Sequence, residues 1–150
     1  MTKHESWMKF ALLEAEKAFS KNEIPVGAIV IYKNKIIAKA HNQVEILKDV
    51  TAHAEILAIT SAENNLENKY LKDCTMYVTL EPCPMCATAI VMAKIPTLVF
   101  GAMDKNYGAC GTVFDLTENK KLNHNVHTIS GVLDKECGEL LKEFFKKKRK

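Results

Sequence analysis

The stretch from Cys74 to Met103 constrains the fold more than any other part of this chain. It begins with a β-rich run, CTMYVTL, and ends with a second one, TLVFGAM. Between them, PCPMCATAIVMAK is predicted to form a helix, since its prolines stand at the start, where a missing N–H does least harm. Because a helix that crosses between two strands of one sheet leaves them parallel, this unit predicts a parallel strand pair.

The flanking segments supply further strands and helices. Residues 6–20 repeat apolar side chains at helical spacing, and IPVGAIVIY followed by KIIAKAHN predicts a hairpin that turns at Lys33–Asn34. VTAHAEILAITSAENN predicts a helix with Thr51 as its N-cap. NVHTISGVL predicts a short fifth strand before a closing helix, and the irregular residues 103–124 predict a long loop.

The resulting order, α-β-β-α-β-α-β-β-α, indicates the fold class. Strands and helices alternate in the middle of the chain, which favours an α/β fold with a mixed sheet and helices on both of its faces. A length of 150 residues with 47% hydrophobic side chains suits a single domain over residues 1–150.

Composition also bears on where the chain works. Charges run through residues 1–21, which indicates an amphipathic helix and not a signal peptide, and no apolar run reaches the roughly 18 residues that a membrane span needs. The five cysteines, an odd number, favour a reducing, cytoplasmic location over a disulfide framework. Cys74, Cys110 and Cys137 are isolated and are expected to be small buried hydrophobes.

Positive charge is concentrated at the C-terminal end. Residues 142–150 hold six of the 21 basic residues and one of the 18 acidic residues, which leaves the rest of the chain with a net charge of −2. Such a segment attracts phosphate in a salt-sensitive way, and a solvated helix end is the alternative interpretation. Phe144 is expected to close the core, and Phe145 to face RNA if the basic cluster binds it.

Cys83 and Cys86 are the residues that point most directly to chemistry. They lie three residues apart at the start of a predicted helix, so both thiols can reach one point, and the helix N-terminus favours thiolates. His53, in the segment AHAE, would add a nitrogen ligand. Two sulfurs and one nitrogen suit a Zn²⁺ ion with an open position for water, and Glu55 could then move the protons of that water. His53 and Glu55 can flank one metal only if His53 lies in the irregular first turn of its helix.

Other roles for these thiols remain open at this level. A C-x-x-C pair alone is ambiguous between a redox dithiol and a metal site. A closed structural zinc site would need a fourth ligand, for which His41, His124 and His127 are candidates.

Two motifs carry a resemblance to a known family. HAEILA followed by LEPCPMC resembles the H-x-E and P-C-x-x-C signature of zinc-dependent nucleobase deaminases. Further stretches, including EIPVGAIVI, MYVTLEPCPMCATAI, VFGAMD and ECGELLKEFF, extend the likeness from about residue 5 to residue 150. The whole chain is similar to the bacterial tRNA adenosine deaminases.

The resemblance implies a fold, a reaction and a set of site residues. The fold would be a three-layer α-β-α arrangement with a five-stranded mixed sheet, in a homodimer. His53, Cys83 and Cys86 would hold one Zn²⁺ per chain, and Glu55 would shuttle protons. The reaction would be hydrolytic deamination of the wobble adenosine in a tRNA anticodon stem-loop, which yields inosine and ammonia. The substrate-binding positions that the family implies are Asn42, Ala54, Asp104, Asn123, His124, Phe145 and Arg149.

This sequence departs from the family pattern at three positions. Pro84 stands where most members carry a small residue or valine, and proline there is common among guanine and cytosine deaminases of the same fold. Asn106 and Tyr107 stand where members often have lysine and a small residue. Losing that lysine weakens a phosphate contact, and the tyrosine could stack on a base or block one.

Two alternative functions follow from the same residues. The first is deamination of a free base or nucleoside (guanine, cytosine or cytidine), although a small neutral substrate needs no cationic helix. The second is a non-catalytic, zinc-stabilised RNA-binding module, although a structural site has no use for Glu55 beside the metal.

Overall fold

The computed structural model describes residues 1–149, so Lys150 of the basic tail lies outside the described residues. It contains one five-stranded sheet with the strand order β2-β1-β3-β4-β5. β1 is antiparallel to both of its neighbours, whereas β3, β4 and β5 run parallel. The predicted mixed sheet and the predicted parallel pair are therefore confirmed. The strands are β1 Gly27–Tyr32, β2 Lys35–His41, β3 Cys74–Leu80, β4 Thr97–Ala102 and β5 His127–Ile129.

The helices are α1 Lys3–Ser20, α2 Val44–Leu47, α3 Ala54–Leu66, α4 Pro84–Met92 and α5 Asp134–Lys148. α1 begins earlier than its apolar pattern predicts because Thr2 forms a capping box with Glu5. The short helix α2 was not predicted. The prediction that Thr51 caps α3 is wrong, since His53 occupies the N-cap position and Thr51 hydrogen-bonds to Asp49 instead.

Alternating side chains of the strands pack against helices on opposite faces of the sheet. Ala28 and Val30 of β1 belong to a cluster with α3 and α4, whereas Ile29 and Ile31 join a cluster with α1 and α5. This arrangement confirms the three-layer α-β-α fold. It also leaves the N-termini of α3 and α4 side by side, which is where the candidate site lies.

Several local predictions hold. The hairpin turns at Lys33–Asn34, where both residues have positive φ angles (49° and 62°), as a two-residue hairpin turn requires. Phe144 is buried at 4% exposure and stacks edge-on against Phe19. The three isolated cysteines, Cys74, Cys110 and Cys137, are all buried. Among residues 1–149, no helix is both long and apolar enough to cross a membrane.

The approach of α1 to β1 is tight at Gly27 and generates a testable prediction. A Cβ atom there would collide with backbone atoms of Ala11 and Ala15, which cannot swing aside as a side chain could. We expect Gly27→Ala to lower the free energy of unfolding by about 2 kcal/mol or more in urea titrations. Gly138→Ala in α5 is the matched control, because its added Cβ meets no atom within 4 Å. It should raise stability by about 0.5–1 kcal/mol. Equal stability of Gly27→Ala and the wild type would contradict this packing.

Candidate active site

The site is built on the first residues of two helices. His53 is the N-cap of α3 and Cys83 is the N-cap of α4, and both have extended backbone angles (φ −77°, ψ 153° and φ −74°, ψ 173°). An extended N-cap residue directs its side chain differently from the helical residues that follow it. His53 and Glu55 can therefore face one point although they are only two residues apart.

Three side-chain donors converge between these helix ends. The Nδ1 atom of His53 lies 3.7 Å from Sγ of Cys83 and 3.5 Å from Sγ of Cys86. All three donor atoms lie within 4.8 Å of one another. Cys86 is fully buried, whereas His53 and Cys83 are partly accessible. The group could hold a metal ion, and its accessible side faces a cleft.

Hydrogen bonds within this cluster shift the pKa values of the two thiols in opposite directions. A hydrogen bond from Cys86, helped by one from His53, lowers the pKa of Cys83 to about 4 against the opposing effect of burial. Donating its proton to Cys83, together with burial, raises the pKa of Cys86 far above its usual range. The hydrogen bond to Cys83 also raises the pKa of His53, and burial only partly opposes it. In the metal-free protein, Cys83 is thus readily deprotonated, whereas Cys86 keeps its proton.

Glu55 is the carboxyl group beside the cluster. It is 4% exposed and lines the same cleft as His53 and Cys83. Burial raises its pKa to about 7. A carboxyl group with this pKa can both accept and donate a proton near neutral pH, which is what general acid–base catalysis requires.

Asn42 and Ala54, both predicted to contact substrate, are joined to each other. The backbone N–H of Ala54 donates to Oδ1 of Asn42 at 2.7 Å, in a buried setting. The backbone N–H of Asn42 donates in turn to the carbonyl oxygen of Val26. These bonds fix the Asn42 side chain at the wall of the cleft and leave its Nδ2 group as the donor that a ligand could meet.

The cleft over the cluster has a volume of about 650 Å³ and gathers many of the predicted residues. The predicted site residues along its wall are Asn42, His53, Glu55, Cys83, Asp104 and Phe145. Pro84, Tyr107 and Lys148 also line it. Tyr107 is 66% exposed at this surface, so it stands at the mouth and does not fill the interior.

Asp104 has a structural role that the sequence left open. Its Oδ1 atom accepts the backbone N–H groups of Asn106 and Tyr107 at 2.9 and 3.1 Å, which closes a tight turn. The carboxylate therefore shapes the loop that carries Tyr107. Its contact with substrate stays a prediction.

The remaining predicted contacts lie away from this cleft in the described part of the chain. His124 contacts the carbonyl oxygen of Ile95 through Nε2 at 2.8 Å, and Asn123 is exposed in the long loop. Arg149 is exposed just after α5. The residues that line the cleft do not include Asn123, His124 or Arg149. A role in binding would therefore require a ligand that extends beyond the cleft.

Sequence reasoning missed two buried carboxylates in the cleft wall, Glu23 and Glu81. Glu23 is 1% exposed and accepts the N–H groups of Glu45 and Ile46 at the start of α2. Glu81 is buried directly after β3 and accepts hydrogen bonds from the long loop. Each is an acid beside an apolar run and close to a proline, a pattern that could have indicated a buried structural carboxylate.

A His–Cys–Cys cluster beside a buried glutamate, at two helix N-termini on one face of a sheet, is typical of zinc-dependent nucleobase deaminases. Residues 2–149 match the family described as MafB19-like deaminase, and the chain belongs to this family. This match confirms the predicted class of enzyme.

Individual relatives show which kind of deaminase this chain is similar to. The tRNA-specific adenosine deaminase of Aquifex aeolicus is 51% identical over 145 residues, which cover 97% of this chain and 95% of the relative. That of Bacillus subtilis is 45% identical over 150 residues, covering 100% and 93%. A solved structure from a study of A-to-I editing by tRNA:A34 deaminases at the wobble position of transfer RNA has a TM-score of 0.87 at 38% identity, covering 90% of this chain and 98% of that chain. The similarity predicted from the sequence is confirmed.

The pKa pattern of the cluster predicts how metal affinity depends on pH. Because Cys86 keeps its proton in the metal-free protein and a metal ligand must lose it, binding should release at least one proton. The dissociation constant for Zn²⁺ should therefore fall by about tenfold for each pH unit from 6 to 8, with a steeper fall where His53 is still protonated. Competition with a chelator at several pH values measures this slope, and a pH-independent constant would contradict it.

The same titration distinguishes the metal-binding thiols of the cluster from the other buried thiols. Cys86→Ala should lose the metal, whereas Cys74→Ala, at a buried site in β3, should still bind one equivalent. Equal binding by both variants would place the metal elsewhere.

Proposed function

We propose that this chain deaminates the wobble adenosine of a tRNA anticodon stem-loop to inosine, with one Zn²⁺ held by His53, Cys83 and Cys86. The observation that carries the proposal is the convergence of these three donors beside a cleft that His53, Cys83 and Glu55 line. The relatives described above, which are named tRNA-specific adenosine deaminases and are similar over almost the whole chain, support the choice of substrate.

The donor set fits zinc in chemistry and in spacing. Tetrahedral coordination with Zn–S and Zn–N lengths of about 2.3 and 2.0 Å separates a sulfur from a nitrogen ligand by roughly 3.5 Å. The observed separations of 3.7 and 3.5 Å agree with this value. Three protein ligands leave one position open, and the bound ion would supply a Lewis acid that activates water for hydrolysis.

Glu55 is the residue that moves protons. Hydrolytic deamination adds the oxygen of water to C6 of adenine and expels the amino group as ammonia, so protons must pass from the water to the base and the leaving group. Glu55 is buried and lines the cleft beside the cluster, which supports a role in passing protons from the water to the base and to the leaving group. Its raised pKa, about 7, suits a group that takes a proton in one step and gives it up in the next.

Asn42 orients the base, whereas Ala54, which is fully buried and donates its backbone N–H to Asn42, acts only through that side chain. Their mutual hydrogen bond fixes the Asn42 amide, so its Nδ2 group is presented to an acceptor atom of the purine ring. Asp104 acts through the turn that it closes at the mouth of the cleft.

Residues at the cleft wall and beyond it would hold the rest of the anticodon loop. Phe145 is 42% exposed at the cleft wall and can stack on an unpaired base, while Lys148 and Arg149 supply positive charge for phosphates. Asn123 and His124 would contact nucleotides further from the reacting adenosine. We also propose that the enzyme works as a cytoplasmic homodimer, in keeping with its five free cysteines and with the family resemblance.

A free-base deaminase is the second candidate, and Pro84 is the observation that favours it. This proline lines the cleft beside Cys83, and the sequence resemblance associates it with guanine and cytosine deaminases of the same fold. A non-catalytic RNA-binding module is less consistent with the site, because a structural zinc site has no use for a proton-transferring carboxyl group, such as Glu55, beside the metal ligands.

The role of Glu55 predicts a selective loss of turnover. Glu55→Gln should lower kcat by at least about 100-fold while the protein still binds one Zn²⁺ and unfolds at an unchanged or higher temperature. Inosine formation in a stem-loop, measured by mass spectrometry, provides the rate. Glu63→Gln is the matched control, because Glu63 lies two turns later on the same helix and should not affect the rate. Activity that survives in Glu55→Gln would refute the mechanism.

The neighbouring phenylalanines predict opposite phenotypes. Phe145→Ala should weaken stem-loop binding by about tenfold, since it removes one stacking surface, and should leave stability close to that of the wild type. Phe144→Ala should lower the free energy of unfolding by about 3 kcal/mol, because Phe144 is buried against Phe19. Fluorescence anisotropy and urea unfolding measure the two effects. Unchanged RNA affinity in Phe145→Ala would remove this residue from the interface.

A further inference from the structure

Glu81 is a buried carboxylate that belongs neither to the metal cluster nor to the acid–base chemistry. It directly follows β3, two residues before Cys83, and is 2% exposed. Its Oε1 atom accepts the N–H of Asp104 at 3.1 Å and the hydroxyl of Thr112. Its Oε2 atom accepts the N–H groups of Cys110 and Thr112 at 3.0 and 3.1 Å. Each carboxylate oxygen thus accepts two hydrogen bonds.

All four donors belong to one segment, residues 104–112, which we call the 104–112 loop. Packing against Glu81 is so close that a Cβ atom at Gly108 would lie 2.5 Å from its Oε1 atom. A further hydrogen bond runs from the N–H of Ala109 to the carbonyl oxygen of Pro82 at 2.9 Å. The loop is therefore attached to the two residues that lead into the metal-binding cysteine.

The 104–112 loop forms one side of the cleft. It contributes Asp104 and the exposed ring of Tyr107 to the cleft wall. The groups assigned to the chemistry, in contrast, stand on α3 and α4. Movement of this loop would alter how a substrate is held while leaving the reacting groups in place.

We propose that Glu81 is a positioning residue that fixes the 104–112 loop for substrate binding, an inference that rests on the proposed function for its choice of substrate. Glu81 acts through the loop and touches neither the reacting base nor the metal. A carboxylate is required because only an acceptor with two oxygens can satisfy four donors arranged as two pairs.

Glu81→Gln is the sharpest test, because it conserves shape and exchanges one acceptor oxygen for a donor. The new NH₂ group must face either the Asp104–Thr112 hydroxyl pair or the Cys110–Thr112 backbone pair, and either contact sets donor against donor. With the stem-loop as substrate, we expect KM to rise by about tenfold while kcat stays within about threefold of the wild-type value. Zinc content should stay at one per chain.

Glu14→Gln provides the matched control. Glu14 is also a buried glutamate, 4% exposed, and accepts bonds from Lys17 and His41 on the α1 side of the sheet. Its replacement can lower stability, but it should leave KM unchanged. A rise in KM in both variants would mean that general destabilisation explains the effect, and would overturn the proposal.

Two milder substitutions test the same contact if Glu81→Gln fails to fold. Thr112 is exposed, so Thr112→Val removes one hydroxyl donor with little risk to the core, and Thr112→Ser restores that donor. We expect Thr112→Val to raise KM by about threefold and Thr112→Ser to match the wild type. Equal KM values for the two variants would refute the role of this contact.

Hydrogen exchange tests whether Glu81 holds the 104–112 loop, and this test does not depend on which substrate the protein converts. The amide protons on the side that the new NH₂ group faces, either that of Asp104 or those of Cys110 and Thr112, should exchange at least about tenfold faster in Glu81→Gln than in the wild type or Glu14→Gln. Unchanged exchange would overturn the inference whatever the substrate. If the wild type instead converts a free base and ignores the stem-loop, the proposed function fails, and the KM comparison is then made with that base.

Discussion

The site depends on two helix N-termini meeting on one face of the sheet. α4 connects the parallel strands β3 and β4, and α3 packs beside it in the same apolar cluster. Each helix uses a metal-binding candidate, His53 or Cys83, as its N-cap. The unpaired N–H groups and the positive end of the helix dipole favour thiolate at this point, so the backbone prepares the site before any metal binds.

The groups proposed to react and the groups proposed to select substrate are held by different parts of the structure. The donors and Glu55 lie on helices that the core fixes, whereas two loop segments complete the cleft. Glu23 holds the start of α2, and Glu81 holds the 104–112 loop. Buried carboxylates bonded to backbone amides can order such loops without an apolar core of their own. This division lets substrate preference change in the loops while the chemistry is preserved.

The parts that the sequence predicted well depend on local spacing. Period-two and helical patterns located the sheet and the main helices, and the Cys83–Cys86 spacing predicted a shared face. The cap at Thr51 was wrong because hydroxyl chemistry favoured it, whereas the structure places His53 there without a side-chain capping bond. α2 was missed because its stabilising partner, Glu23, is more than twenty residues away. Glu81 was missed for the same reason, since its donors lie 23 to 31 residues further along.

A product assay with zinc-loaded protein tests deamination of the wobble adenosine most directly. A stem-loop carrying a wobble adenosine is compared with the same hairpin carrying that adenosine inside a base-paired stem, and with free guanine, cytosine, cytidine and adenosine. We expect inosine in the wobble hairpin and no conversion of the other substrates. Ammonia from a free base with the hairpin unchanged would contradict it, and would leave the zinc and Glu55 chemistry in place with a different substrate.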